Sequence, residues 1–198
     1  PGCILLPKGQ LPLNIFEPRY LRMVDDSLAS SRTIGMVQPR DGEVMGRPTL
    51  YGVGCAGRIS TFAETDDGRY LVTLAGRRRF RIAEEHNIDT PYRQAAVDWS
   101  SFATDEQVDP TTEFIDRERL VSAMRGYLDA EGLKTDWDIV SDAPTDALVA
   151  SLAMGCPFAP NEKQALLEAK TNAARAECLI ALMEMSSAGD SGGDQTVQ

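Results

Sequence analysis

Between residues 33 and 102 the chain reads with the two-residue period of strands, and beyond Pro110 it reads with helical spacing. That single change of period restricts it to an α+β fold with strands and helices in separate runs. Strand-like segments fall at residues 34–37, 50–62, 70–74, 80–83 and 95–102, with turns expected at Asp41 followed by Gly42 and at Asp67 followed by Gly68. Gly52, Gly54 and Gly57 inside one such segment point to bulges or close backbone approach in a strongly bent sheet. Ahead of it, residues 11–16 suit an extended edge segment containing Pro12. Pro18 then opens a short helix through Tyr20, Leu21, Val24 and Leu28.

The second half carries helical patterns at residues 111–130, 145–154 and 161–185, with a short turn at 137–140. In the longest, Leu167, Ala174, Cys178, Ala181 and Met185 form one expected apolar stripe. Pro160 at a first helical position moves the expected cap to Ala159. The polar stretch 103–110 reads as a linker, and residues 188–198 as a flexible tail. The expected division is therefore 1–105, a β-barrel unit; 106–187, a helical bundle; and 188–198, the tail.

Charge narrows the function. The chain carries a net charge of -10, and the asymmetry is strong: residues 1–100 hold 13 basic and 12 acidic side chains, the remainder 7 and 18. An acidic chain is a poor general partner for nucleic acid, which binds through clustered Lys and Arg. Only Arg77, Arg79 and Arg81, in the run Arg-Arg-Arg-Phe-Arg that starts at Arg77, offer a basic patch, and on a strand such residues more often pair with neighbouring carboxylates. Four scattered cysteines, at 3, 55, 156 and 178, suit buried free thiols in a reducing cytoplasm, and they do not cluster with His86, the single histidine, as a metal site would require. No apolar run is long enough for a membrane span. The chain starts at Pro1 without Met, and no signal peptide is visible.

Chemical motifs are sparse. Gly189-Asp190-Ser191-Gly192-Gly193 has the form of the loop around a serine-protease nucleophile, yet it lies in the expected tail with nothing to hold a base or oxyanion donors. Adjacent carboxylates such as Asp25 and Asp26, or Glu84 and Glu85, do not converge as an acid/base pair would. No phosphate-cradling Gly-rich loop ending in Lys-Ser/Thr occurs, and nothing implies a cofactor. The expectation is no catalytic residue, no metal and no cofactor.

The stretch LPLNIFEPRYLRM at residues 11–23 resembles the signature of the N-terminal domain of Lon proteases. The resemblance continues through YGVGCAGRI at 51–59, VTLAGRRRFRI at 72–82 and NEKQALLEA at 161–169. It implies a PUA-like six-stranded pseudo-barrel with a short helix, followed by a C-terminal helical bundle. In full Lon proteases this region helps recognise unfolded or tagged substrates and assists assembly, while separate ATPase and Ser-Lys protease modules do the chemistry. Ser187-Ala188-Gly189 is similar to the tripeptide around the Lon catalytic serine, but no partner lysine accompanies it.

The expected protein is thus a stand-alone, non-catalytic Lon N-domain working in protein quality control. It binds polypeptide segments or a protein partner along an apolar groove or barrel edge, with room for a homodimer. The alternative is nucleic acid held by a PUA-like barrel and the Arg77–Arg81 patch. Candidate peptide-binding residues are Tyr20, Met23, Met36, Tyr51 and Phe62. Leu13, Ile15 and Phe16 are expected in the barrel core, Glu17 and Arg19 as an ion pair or a ligand contact, and Gly54 and Gly76 where backbone geometry demands glycine.

Overall fold

A computed structural model describes residues 2–44 and 46–190. The chain divides into two compact units: the first comprises residues up to Val108 together with Pro157–Leu167, and the second Asp109–Cys156 together with the chain from Glu168 onward.

The first unit is built on seven strands, β1 (Gln10–Ile15), β2 (Thr33–Met36), β3 (Pro39–Val44), β4 (Arg47–Leu50), β5 (Val53–Glu64), β6 (Tyr70–Glu85) and β7 (Ala95–Asp98), with helix α1 (Pro18–Leu28) between the first two. They group as a five-stranded sheet ordered β1-β6-β5-β2, with β7 also on β6, and a separate β3-β4 hairpin. Among the described residues the strands of this unit number seven, in two sheets, with the helices of the second unit following them as the α+β reading expects. All pairings are antiparallel.

Strand β6 runs for 16 residues and organises the unit. One edge carries β5; the other carries β1 opposite residues 70–75 and β7 opposite residues 81–85, leaving a gap between them. Register shifts at Arg77 on β6 and Ser60 on β5 mark bulges that bend the sheet. At the near side of the gap the N-terminal segment crosses: Lys8 N–H donates to Gly76 O at 2.9 Å and Gly76 N–H to Gly9 O at 2.8 Å. A Cβ on Gly76 would collide with the Leu6 carbonyl oxygen, and one on Gly54 would lie 2.6 Å from Met36 O, so both positions need glycine.

Asp105 fills the rest of the gap. Its carboxylate accepts the Arg79 backbone N–H at 2.9 Å and the Arg79 guanidinium at 2.9 and 2.7 Å, with only 5% and 6% of the two side chains exposed. Arg79 also donates to Leu167 O at 2.9 Å, and its guanidinium lies 4.5 Å from the Phe102 ring centroid. The polar stretch read as a linker is therefore pinned to the sheet.

Helix α1 begins at Pro18 as expected, but several core assignments shift. Leu11, Leu13 and Ile15 are half-buried on one face of β1, whereas Phe16 is 64% exposed, because alternation turns residue 16 outward. Ile4, Leu5 and Leu6, which carry no strand pattern, are almost fully buried instead. Glu17 and Arg19 form an exposed ion pair at 2.8 Å. The hairpin at Asp67 and Gly68 is present, with Gly68 at φ 78°. The other expected turn is displaced: Gly42, at φ 104°, lies within β3 at a pairing irregularity, and the hairpin ladder continues past it to Val44, which pairs with Arg47. All four cysteines are free, but only Cys55 and Cys156 are buried, while Cys178 is half-buried and Cys3 exposed.

The returning segment contributes α5, whose bounds are Pro160–Glu168. Its cap is Ala159, whose N–H donates to Glu162 at 2.8 Å. Buried Gln164 fastens the helix to the strands, donating to Val53 O at 3.1 Å and accepting from Gln38 at 3.1 Å.

The second unit comprises a 3-10 turn (Pro110–Phe114) and helices α2 (Arg117–Ala130), α3 (Trp137–Asp142), α4 (Thr145–Gly155) and α6 (Asn172–Asp190). The expected helix over 111–130 breaks before Asp116, which caps α2 by accepting from Arg119 N–H. The pattern at 161–185 is likewise two helices: Thr171 Oγ1 accepts from Ala174 N–H and restarts the chain as α6. The buried face of α6 is Asn172, Arg175, Ala176, Leu179, Ile180 and Met183, not the stripe expected, since Ala174 and Ala181 face outward and Met185 is 70% exposed. These residues share the core with Leu120, Met124 and Tyr127 of α2 and Val149 and Ala153 of α4. Helix α6 continues to Asp190, so it takes in Gly189 and Asp190 of the protease-like pentapeptide; Ser191, Gly192 and Gly193 lie outside the described residues.

Breaking the Arg79–Asp105 pair on one side leaves a buried charge, so Asp105→Ala should cost about 3–5 kcal/mol in urea unfolding, and Arg79→Met with Asp105→Leu should recover most of it. In the second unit, burial acts to raise the pKa of Asp109, but hydrogen bonds from Thr111 and from Asn172 N–H outweigh it and hold the carboxyl below its usual range. A lowered folded-state pKa gives stability that is complete above about pH 4 and fades as pH falls through the lowered value. Asp109→Asn should therefore reduce stability at neutral pH and flatten the acid limb of a stability-pH curve measured by circular dichroism.

Candidate functional site

The end of the sheet where β1 and β5 finish and β6 starts collects exposed apolar side chains. Tyr70 pairs with Ile15 on one side and Glu64 on the other, and Leu71 with Asn14 and Ala63. Phe62 meets Tyr70 edge-on, with ring centroids 4.9 Å apart and planes at 70°. Phe16 follows Ile15 directly. Phe16, Phe62 and Leu71 are 64%, 39% and 47% exposed, which sets this end apart from the well-packed middle of β5 and β6.

Helix α1 is bound to this end through polar contacts. The Tyr70 hydroxyl donates to Asp25 at 3.1 Å, and that hydrogen bond to the carboxylate raises the phenol pKa. The Tyr92 hydroxyl donates to Asp26 at 2.8 Å, and this bond, with a second from Arg22, holds the Asp26 carboxyl below its usual range. The Arg19 guanidinium lies 4.4 Å from the Tyr20 ring centroid. The arrangement offers ring faces and a leucine for apolar contact, worth about 25 cal/mol per Å² covered, beside carboxylates already engaged by tyrosines.

Of the five candidate residues, Tyr20 and Met23 are half-buried on α1, and Phe62 belongs to the aromatic end itself. Met36 and Tyr51, also half-buried, stand at the opposite end of β5: Met36 pairs with Cys55, and Tyr51 N–H donates to Gln38 O at 3.0 Å. At about 3.3 Å per residue, the nine steps from Val53 to Phe62 separate these positions by up to roughly 30 Å. The five side chains do not form one patch. Phe16, Tyr70 and Leu71 belong to the aromatic end and escape the sequence reading, although the phase of residues 11, 13 and 15 already turns Phe16 outward.

The arginine run divides by role. Arg79 is buried on Asp105; Arg78 donates to the carbonyls of Phe102 at 3.0 Å and Trp99 at 2.9 Å; Arg77 pairs with Glu106 at 3.1 Å; Arg81 is exposed, 5.9 Å from the Phe102 ring centroid. Arg77 and Arg81 are the members that project into solvent. His86 is exposed, its backbone N–H donating to Gln94 O. Ser187 lies in α6 with its hydroxyl directed to Met183 O. Among the described residues no group of His, Cys, Asp or Glu could hold a metal ion, and no helix is long and apolar enough to cross a membrane.

Residues 1–185 match the family described as the ATP-dependent protease La (LON) substrate-binding domain. A Lon protease 2 from Sorangium cellulosum is 31% identical over 101 residues, a match covering 49% of this chain and 12% of that protein. The chain thus corresponds to a small fraction of the length of such curated relatives. Among solved structures, a Lon N-terminal domain protein from Xanthomonas campestris superposes with a TM-score of 0.60 at 23% identity, covering 91% of this chain and 93% of that one. The N-terminal domain of a Mycobacterium avium complex Lon protease gives 0.65 at 16% identity, covering 91% and 92%. Both likenesses concern the fold.

Because the aromatic end is exposed, polar replacement there should leave the fold intact: Phe16→Ser and Leu71→Ser should each stay within about 0.5 kcal/mol of the parent in urea unfolding. A loss of several kcal/mol for Phe16→Ser would return that residue to the core.

Proposed function

Since the chain belongs to the Lon substrate-binding-domain family, we propose that it is a non-catalytic module that captures exposed apolar segments of unfolded polypeptides. The observation that carries this reading is the exposed apolar end of the sheet, with Phe62 against Tyr70 on one face, Leu71 on the other, and Phe16 just beyond Ile15. Tyr20 and Met23 of α1 extend the same contact, and Met36 and Tyr51 form a second, separate one. Apolar side chains of an unfolded chain gain by covering these rings, and sequence-tolerant capture suits a partner recognised by its disorder. Nucleic acid is the weaker reading, because Arg78 and Arg79 are engaged within the fold and the chain carries a net charge of -10. Four free thiols support a reducing, cytoplasmic setting.

Binding of a reduced, carboxymethylated unfolded protein, followed by fluorescence anisotropy, should give a Kd of about tens of micromolar. The triple variant Phe16→Ser, Phe62→Ser, Leu71→Ser should weaken it about ten-fold or more. The parent should release no peptide and take up no active-site serine probe. Equal binding by parent and triple variant would remove the aromatic end from the reading, and turnover of the unfolded protein would overturn its non-catalytic part.

A further inference from the structure

Three arginines from three separate elements meet at a shallow pocket of about 330 Å³: Arg32 from the turn between α1 and β2, Arg58 from β5 and Arg77 from the bulge of β6, with Ile59, Ser60 and Ala75 completing its wall. The ladder brings them together, since Arg58 pairs with both Thr33 and Ala75, and Ile59 N–H donates to Arg32 O at 2.8 Å. Arg77 is partly neutralised by Glu106 in an exposed pair. The side chains of Arg32 and Arg58 have no hydrogen-bond or ion-pair partner among the described residues. Like charges gathered at one place repel, and an anion between them reverses the sign of the interaction.

The backbone at Arg32 points the same way. Its φ is 57°, in the left-handed region, and its N–H donates to Ser27 O at 2.7 Å, closing the end of α1. Glycine is the favoured residue in that conformation. A long cationic side chain held there against the backbone preference marks the side chain as the useful part.

Beside the pocket lies an open strand edge. β2 is the outermost strand of the sheet on that side. Because Arg32 O already faces β5, antiparallel alternation turns the peptide groups of Thr33 and Gly35, both exposed, outward. An extended polypeptide can pair there, and a nucleic acid cannot. We infer that the pocket of Arg32, Arg58 and Arg77 receives an aspartate or glutamate carboxylate of an extended acidic segment whose main chain adds along β2. The inference rests on the reading of the chain as a polypeptide-capturing module, and it names a second class of segment: acidic and extended, beside the apolar ones met at the aromatic end.

The test uses the full chain and three labelled probes in fluorescence anisotropy: a short unstructured peptide with two central aspartates, its asparagine counterpart, and a single-stranded oligonucleotide. At low salt the aspartate peptide should bind about ten-fold more tightly than the asparagine peptide, and the preference should shrink as salt rises. Arg58→Gln and Arg32→Gly should each weaken the aspartate peptide about three-fold while leaving the asparagine peptide unchanged. Arg32→Gly should keep or raise the Tm, because glycine suits that backbone, so its loss of binding cannot be a folding defect. Equal binding of the two peptides would overturn the pocket while leaving polypeptide capture standing. Tighter binding of the oligonucleotide would reassign the pocket to phosphate. Failure of both peptides, together with failure of the unfolded protein, would sink capture itself.

Discussion

The edge of β6 between β1 and β7 would be an open line of peptide groups in the middle of the first unit, and Asp105 closes it. One carboxylate accepts both the Arg79 backbone N–H and its guanidinium, at an exposure of 6%. The same guanidinium reaches Leu167 O at the end of α5, so one buried pair ties the sheet, the segment after β7 and the returning helix. A lone buried charge at this point would be strongly unfavourable, which makes the pair an all-or-none element of the unit. The crossing of residues 6–9 over Gly76 completes the closure on the other side, where only a glycine leaves room for the Leu6 carbonyl.

This closure separates the arginine run into structural and exposed members. Arg78 and Arg79 hold the fold, Arg77 bulges outward, and Arg81 projects. A cluster that reads as one basic patch in the sequence is thus divided by a register shift, and the positive locus at the surface is made instead with Arg32 and Arg58, which are remote in sequence. The aromatic end arises from the same geometry: strands of unequal length leave Phe62, Tyr70 and Leu71 where β1 stops, and α1 is fastened there by the Tyr70–Asp25 bond.

Much of the fold was legible in the sequence because it depends on local chemistry. Pro18 starts α1, Gly68 permits the hairpin, Glu162 completes the cap at Ala159, and the change of period separates strands from helices. What was not legible depends on partners distant in the chain. Ile4, Leu5 and Leu6 show no period because they cross under strands instead of joining one. Gly42 marks a bulge, not a turn, and the apolar residues of the last helix were counted through a break that Thr171 caps. Of the candidate site, Phe62 is legible from its residue type, whereas Phe16 reads as core although its neighbours' alternation points it outward. Met36 and Tyr51 share its residue type, but the length of β5 keeps them apart from it.

The central claim is that the exposed end of the sheet is the surface where an unfolded polypeptide is held. Backbone amide chemical-shift mapping during titration with an unfolded protein tests it residue by residue. The account predicts perturbations concentrated at Phe16, Phe62, Tyr70, Leu71 and the start of α1. Perturbations confined to the helical unit, or none at saturating concentrations, would contradict it.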